Sequence, residues 1–293
     1  MPSKRKEWKR EGLLAFPASL MFLLLSVVPL SMLVLFSFIR GNIRLDGSIP
    51  GYTLGNLSKM FSSSIFPFLM LKSVVIGLLV TVICVIIAYP TAWGIAKVVR
   101  PRNRNTLVML AIIPFFTNQL LLIYAMMVIL QAKGILMSAL GALGIADPRT
   151  SILYSTPAVV IILVYEYLPY MILSLYTSLE GIGENLVAAS RSLGAGKVRT
   201  FLNVVFPMSL PGLLSGIMLV LVPVTGSFVE PTLAGGPNGM MVGSLINSQF
   251  TIVLNMGYGA GLSFVFLLII SAIMAVIRGL AAWTDRRIGG DTA

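Results

Sequence analysis

Long apolar runs, separated by short polar and basic segments, set the pattern of this chain. Six runs have about the 20 residues an apolar helix needs to cross a hydrocarbon core: Leu13–Phe38, Leu69–Ala96, Leu107–Leu130, Ala158–Tyr176, Met208–Val229 and Ala260–Ala282. Prolines and glycines inside them suit membrane helices, whose neighbours re-satisfy the freed backbone groups. A seventh run, Ile135–Ile145, is too short to span and reads as an interfacial or re-entrant piece between the third and fourth helices. The pattern predicts an all-α integral membrane protein with six transmembrane helices.

Composition points the same way. Of 293 residues, 57% are hydrophobic and 11% charged, and the mean hydropathy is +0.95. A soluble domain is about a quarter charged, so lipid is the expected solvent. The net charge of +11 would suggest nucleic acid, but its distribution does not. Six crossings place both termini on one side. That side holds 15 of the 21 lysines and arginines, and the other side holds six. This is the positive-inside asymmetry, so both termini are expected in the cytoplasm and no nucleic-acid partner is expected. The organisation that follows is a basic cytoplasmic segment over 1–12, a membrane domain over 13–283 and a cytoplasmic tail over 284–293. The first apolar run is longer than the hydrophobic part of a secretory signal and is expected to stay in the membrane. Cys84 is the only cysteine and reads as a small buried hydrophobe.

Several chemistries are excluded. With no histidine there is no Ser–His–Asp triad and no H-E-x-x-H zinc site. All four aspartates (Asp46, Asp147, Asp285 and Asp291) lie outside the spans, which removes an intramembrane aspartyl pair. No catalytic or metal site is expected. The stretch GAGKVRT resembles a nucleotide loop only in passing, because Arg191 stands at the required first glycine and Val198 at the required Ser/Thr. ATP, if used, belongs to another subunit.

The loop over 178–207 contains NLVAASRSLGAGKVRTFLNVVFP, Asn185 to Pro207. Small residues (Ala188, Ala189, Ser190 and Ser192) mark a short helix over Asn185–Leu193. Glu184 near its start and Arg191 near its end suit the helix dipole. Gly194 is placed to end it in a left-handed conformation. A second helical segment, Lys197–Phe206, then leads to Pro207 and the fifth span. Two readings fit this bracket: a small-residue helix that docks closely into a partner, or an amphipathic connector between spans.

Glu166 lies near the middle of the fourth span among Tyr165, Tyr167 and Tyr170. A carboxyl at that depth faces a cavity or a partner, and with aromatic neighbours it suits an ammonium ligand through charge and cation–π contact. A hydrogen bond to another helix is the alternative. Glu230, just before Pro231, is a candidate for the outer mouth of a pathway or a simple interfacial acid. Asn118, Gln119 and Tyr124 are polar groups of the third span, for a pathway or for interhelix hydrogen bonds. GLLSG (Gly212–Gly216) and GYGAG (Gly257–Gly261) predict close helix packing, and LAGGPNG reads as a mobile outer turn.

The spacing in the loop resembles the EAA motif of type I ATP-binding-cassette (ABC) importer permeases, E-A-A, three residues, G, nine residues, then I-x-L-P. Anchored on Gly194, the triad falls on Ala188, Ala189 and Ser190, and the end falls on Val204, Val205, Phe206 and Pro207. Ala188 replaces the family's glutamate, and Glu184, one turn upstream, is the nearest acid. Three further stretches, Pro114–Gly134, Leu163–Glu180 and Phe228–Ile246, resemble the spermidine/putrescine branch of these permeases. The resemblance implies the type I permease fold in a bacterial cytoplasmic membrane and uptake of a small cationic solute, foremost a polyamine, by alternating access. It also implies four kinds of partner: two copies of a cytoplasmic ABC ATPase that binds the ATP and Mg, a second and related permease chain, an extracytoplasmic binding protein that meets the outer loops, and the lipid bilayer. Glu184, Ala188, Ala189, Ser190, Arg191, Leu193, Gly194 and Ala195 would then form the contact with the ATPase. Permeases of the same type for opines, aminophosphonates or thiamine remain open. So does a stand-alone secondary transporter, although the two halves of the chain show no internal repeat.

Overall fold

The computed structural model describes residues 17, 20–42, 51–145, 147 and 149–289. The basic segment 1–12 and the end of the 284–293 tail lie outside the described residues. Among those described, six stretches are helical, long and apolar enough to cross a membrane: Leu20–Ser37, Ile65–Val98, Gln119–Ala142, Thr156–Glu180, Lys197–Gly226 and Met256–Gly279.

In chain order, α1 is Leu20–Ser37, α2 Gly55–Ser62 and α3 Ile65–Trp93, continued by a widened turn over Gly94–Val98. Next come α4 Pro101–Ile112, α5 Gln119–Leu130, α6 Ile135–Ala142 and α7 Thr156–Glu180. The last four are α8 Glu184–Ser192, α9 Lys197–Gly226, α10 Val242–Thr251 and α11 Met256–Gly289.

Three expectations are corrected. The run Leu107–Leu130 is not one helix. It ends α4 at Ile112, tightens over Ile113–Phe116 and restarts as α5 at Gln119. Pro114 has no backbone N–H to continue the ladder, and Asn118 opens the new helix by accepting the Leu120 N–H at 2.9 Å. The short run starting at Ile135 is then α6, following α5 after a bend where Lys133 adopts φ 58°. Second, the segment from Lys197 does not stop at Pro207 but runs unbroken into the fifth span. Its turn over Phe201–Val205 is widened to i→i+5 bonds, with the Phe206 N–H on the Phe201 carbonyl. Widening there relieves the clash between the Pro207 ring and the preceding turn. Third, LAGGPNG is packed rather than a mobile turn. Residues 231–239 are helical. The Tyr154 N–H donates to the Ala234 carbonyl at 2.9 Å, and Thr156 and Lys72 both donate to the Asn238 carbonyl.

The chain forms two compact units, residues 1–67 with 246–268, and 68–245 with 269–293. In the first, Ile39 bridges Tyr52, and the Asn56 amide donates to the Ser37 and Ile39 carbonyls. GYGAG packs closely here, since a Cβ on Gly257 would lie 2.3 Å from the Ile39 carbonyl oxygen.

The second unit holds the larger core. Along α3, Ile76, Val80, Cys84, Ala88, Ala92 and Ala96 recur every fourth residue, and all are buried. Such an i+4 ridge packs into the grooves of neighbouring helices. It meets Val159, Leu163 and Leu175 of α7 and Val220 and Val224 of α9. The ridge turns small toward its end, so larger partners fit: Phe201 packs edge-on to Tyr89 and Trp93 at 5.7 and 5.8 Å, and the Tyr89 hydroxyl lies 2.7 Å from that of Ser209. Helices α7 and α9 touch through GLLSG, with Ser174 donating to the Gly212 carbonyl at 2.8 Å.

Candidate substrate pathway and coupling surface

Two breaks in regular structure bring the intramembrane acids together. Helix α9 ends at Gly226, earlier than the expected Val229, and Ser227 and Phe228 are not helical. The chain then turns back into helix, which carries Glu230 inward, where it is 1% exposed. Restarting at Gln119, α5 aims its first side chain at the same place. The Gln119 amide donates to Glu230 Oε1 at 2.9 Å, and the Ser227 hydroxyl donates to Oε2. From α7, the Glu166 carboxyl lies against both Glu230 and Gln119. Its Oε2 is buried without a hydrogen-bond partner. Among the described residues no lysine or arginine pairs with either acid. The rings of Tyr167, next to Glu166, and Tyr170, one turn on, stack at 5.7 Å.

Paired carboxyls without a counter-ion at membrane depth are costly. A ligand ammonium would supply the missing charge and up to three hydrogen-bond donors, and the tyrosines would offer their faces. The other expected pathway residues are placed elsewhere. Asn118 caps its own helix. Tyr165 lines a separate apolar cavity of about 200 Å³ with Leu121, Leu122 and Met126. Tyr124 is exposed on α5. Sequence reasoning did not find Ser227, nor the meeting of Glu230 with Glu166, because residues 64 positions apart share no local signal.

At the other end of α7, α8 forms as its small residues predict. It closes with a two-bond stop, in which the Gly194 N–H bonds the Arg191 carbonyl at 2.9 Å and the Ala195 N–H bonds the Ser190 carbonyl at 3.2 Å. Gly194 has φ +82°, a conformation that favours glycine. Val187 and Ser190 turn inward, and the Ser190 hydroxyl sits 3.2 Å from that of Thr200. Glu184, Ala188, Ala189 and Arg191 are all exposed; Glu184, Ala188 and Arg191 line a cavity with Lys97 and Phe201 that Ala189 does not line, and Leu193 is 89% exposed at the tip. Lys97 at the end of the second crossing donates to the Ile182 carbonyl and ties the bracket to α3.

Residues 88–290 match the family described as binding-protein-dependent transport system inner membrane component. The chain belongs to this family. It is 35% identical over 225 residues to the spermidine/putrescine transport system permease protein PotB of Escherichia coli, covering 77% of this chain and 81% of that one. PotB of Haemophilus influenzae is 37% identical over 211 residues, 72% of this chain and 73% of that one. Among solved structures, a bacterial ABC transporter involved in alginate import matches with a TM-score of 0.72 at 13% identity, covering 95% of this chain and 96% of that chain. The permease fold expected for ABC importers is therefore the fold observed, in a multi-pass inner membrane transport component.

The matched family region takes in α8 and the Gln119, Glu166 and Glu230 cluster. This permease departs from the EAA pattern at Ala188, and the structure leaves that alanine exposed on α8, one turn beyond the exposed Glu184.

Proposed function

We propose that this permease forms one half of the membrane pathway of an ATP-driven polyamine importer. The observation that carries the reading is the pair of intramembrane carboxyls, Glu166 and Glu230, which have no lysine or arginine partner among the described residues and sit beside stacked tyrosines. The PotB relatives, named for spermidine and putrescine, support the substrate class. In this reading both termini face the cytoplasm, as the distribution of basic residues favours. A related second permease supplies the facing half. A binding protein delivers solute at the outer ends, and the periplasmic protein named with a second structure of the alginate transporter supports such a partner. Two copies of a cytoplasmic ATPase hold ATP and Mg and drive alternating access through α8. This chain hydrolyses nothing itself.

The α8 assignment has its own test. Ala189 is exposed on the outer side of the helix, so tryptophan there blocks close approach without touching the core. Ala189→Trp protein inserts in the membrane at the normal level but no longer co-purifies with the ATPase from mild detergent. Undiminished co-purification means that α8 is only a connector.

A further inference from the structure

Behind α8 lies a cavity of about 660 Å³ that the transport pathway does not use. Its wall carries Lys97, Arg191 and Lys197, opposed by one acid, Glu184. Its apolar side is formed by Trp93, Phe201 and Val205. This cavity lies at the ends of the helices around it. The second crossing ends at Val98, and the fifth starts at Lys197. Lys97 and Lys197 therefore sit at the ends of two long apolar helices, and Trp93 and Phe201 lie about one turn further along each.

Cations beside aromatic and aliphatic side chains at the ends of long apolar helices match the two ends of an anionic phospholipid. The phosphate meets the basic rim, and the glycerol and upper acyl chain meet the apolar side. A soluble anion would use the rim and leave the apolar side wet, which is why the observations favour lipid. We infer that this cavity binds an anionic phospholipid headgroup, bridging α8 to the ends of α3 and α9. The binding rests on the cavity alone. Only its consequence, that the lipid stiffens the bracket through which the ATPase acts, rests on the function proposed above.

Trp93 provides the readout, because the chain has three tryptophans and Trp8→Phe with Trp283→Phe leaves it alone. In nanodiscs, Trp93 fluorescence is quenched more by brominated phosphatidylglycerol than by brominated phosphatidylcholine. Each basic side chain near an anionic membrane changes affinity roughly fivefold, so Arg191→Gln with Lys197→Gln lowers the preference on the order of thirtyfold. Lys133→Gln, a basic residue away from the cavity, leaves it unchanged. Equal quenching by the two lipids, or a preference that survives the double substitution, overturns the proposal. Reversal by millimolar inorganic phosphate would make it a soluble-anion site and overturn the lipid assignment. Trp93 that ignores lipid but responds to ATPase assembly would give the cavity to the protein partner. Because this assay needs no transport, a lipid site without polyamine uptake overturns only the proposed function.

Discussion

Glu166→Gln permease, assembled with its partners, takes up labelled spermidine at a tenth of the native rate or less. Removing one member of a desolvated charge pair costs about 2–5 kcal/mol. Glutamine keeps part of the hydrogen bonding, so we assign at least about 1.4 kcal/mol to the lost charge, roughly tenfold in rate. Glu230→Gln behaves alike, because the two carboxyls face one point with Gln119 between them. The concentration dependence of uptake stays where the binding protein sets it, so the loss falls on the maximal rate. Glu166→Asp recovers part of it. Equal uptake by native and Glu166→Gln permease would make this acid a structural group.

Gly212→Leu fails at an earlier stage: the permease is degraded or aggregates on solubilisation. Helices α7 and α9 approach so closely at Gly212 that even a Cβ would lie 2.3 Å from Ser178 Cβ and 2.7 Å from the Ser174 carbonyl oxygen. Backbone cannot swing aside as a side chain can. Overpacking of this kind costs about 1–3 kcal/mol, and separating the helices also strains the Ser174 bond to the Gly212 carbonyl. Gly216→Ala is milder, because its closest neighbour is the flexible Met171 sulfur at 2.6 Å. Gly279→Leu, with nothing within 4 Å, leaves yield unchanged. Size-exclusion profiles of fluorescent fusions rank the three. A monodisperse Gly212→Leu profile would show that the α7–α9 contact is looser than described.

Local signals made part of this molecule readable in advance. Hydropathy over about 20 residues identified most of the crossings. A glycine after a run of small residues identified the end of α8, because left-handed backbone favours glycine there. The misreadings share a cause. An apolar stretch hides a break when hydropathy is averaged across it, and only Pro114 and Asn118 marked the interruption before α5. Glu230 and LAGGPNG looked like an outer loop because Gly, Pro and Asn usually signal exposure. Burial came from contacts with Gln119, Tyr154 and Thr156, all distant in sequence.

Uptake of labelled putrescine and spermidine is the most direct test of the central claim. It compares cells carrying the complete transporter with cells lacking only this chain. Energy-dependent uptake that disappears without the chain and returns with it is the predicted result. A complex that still assembles with its ATPase yet moves neither polyamine would contradict the substrate and leave the permease with a different organic ion.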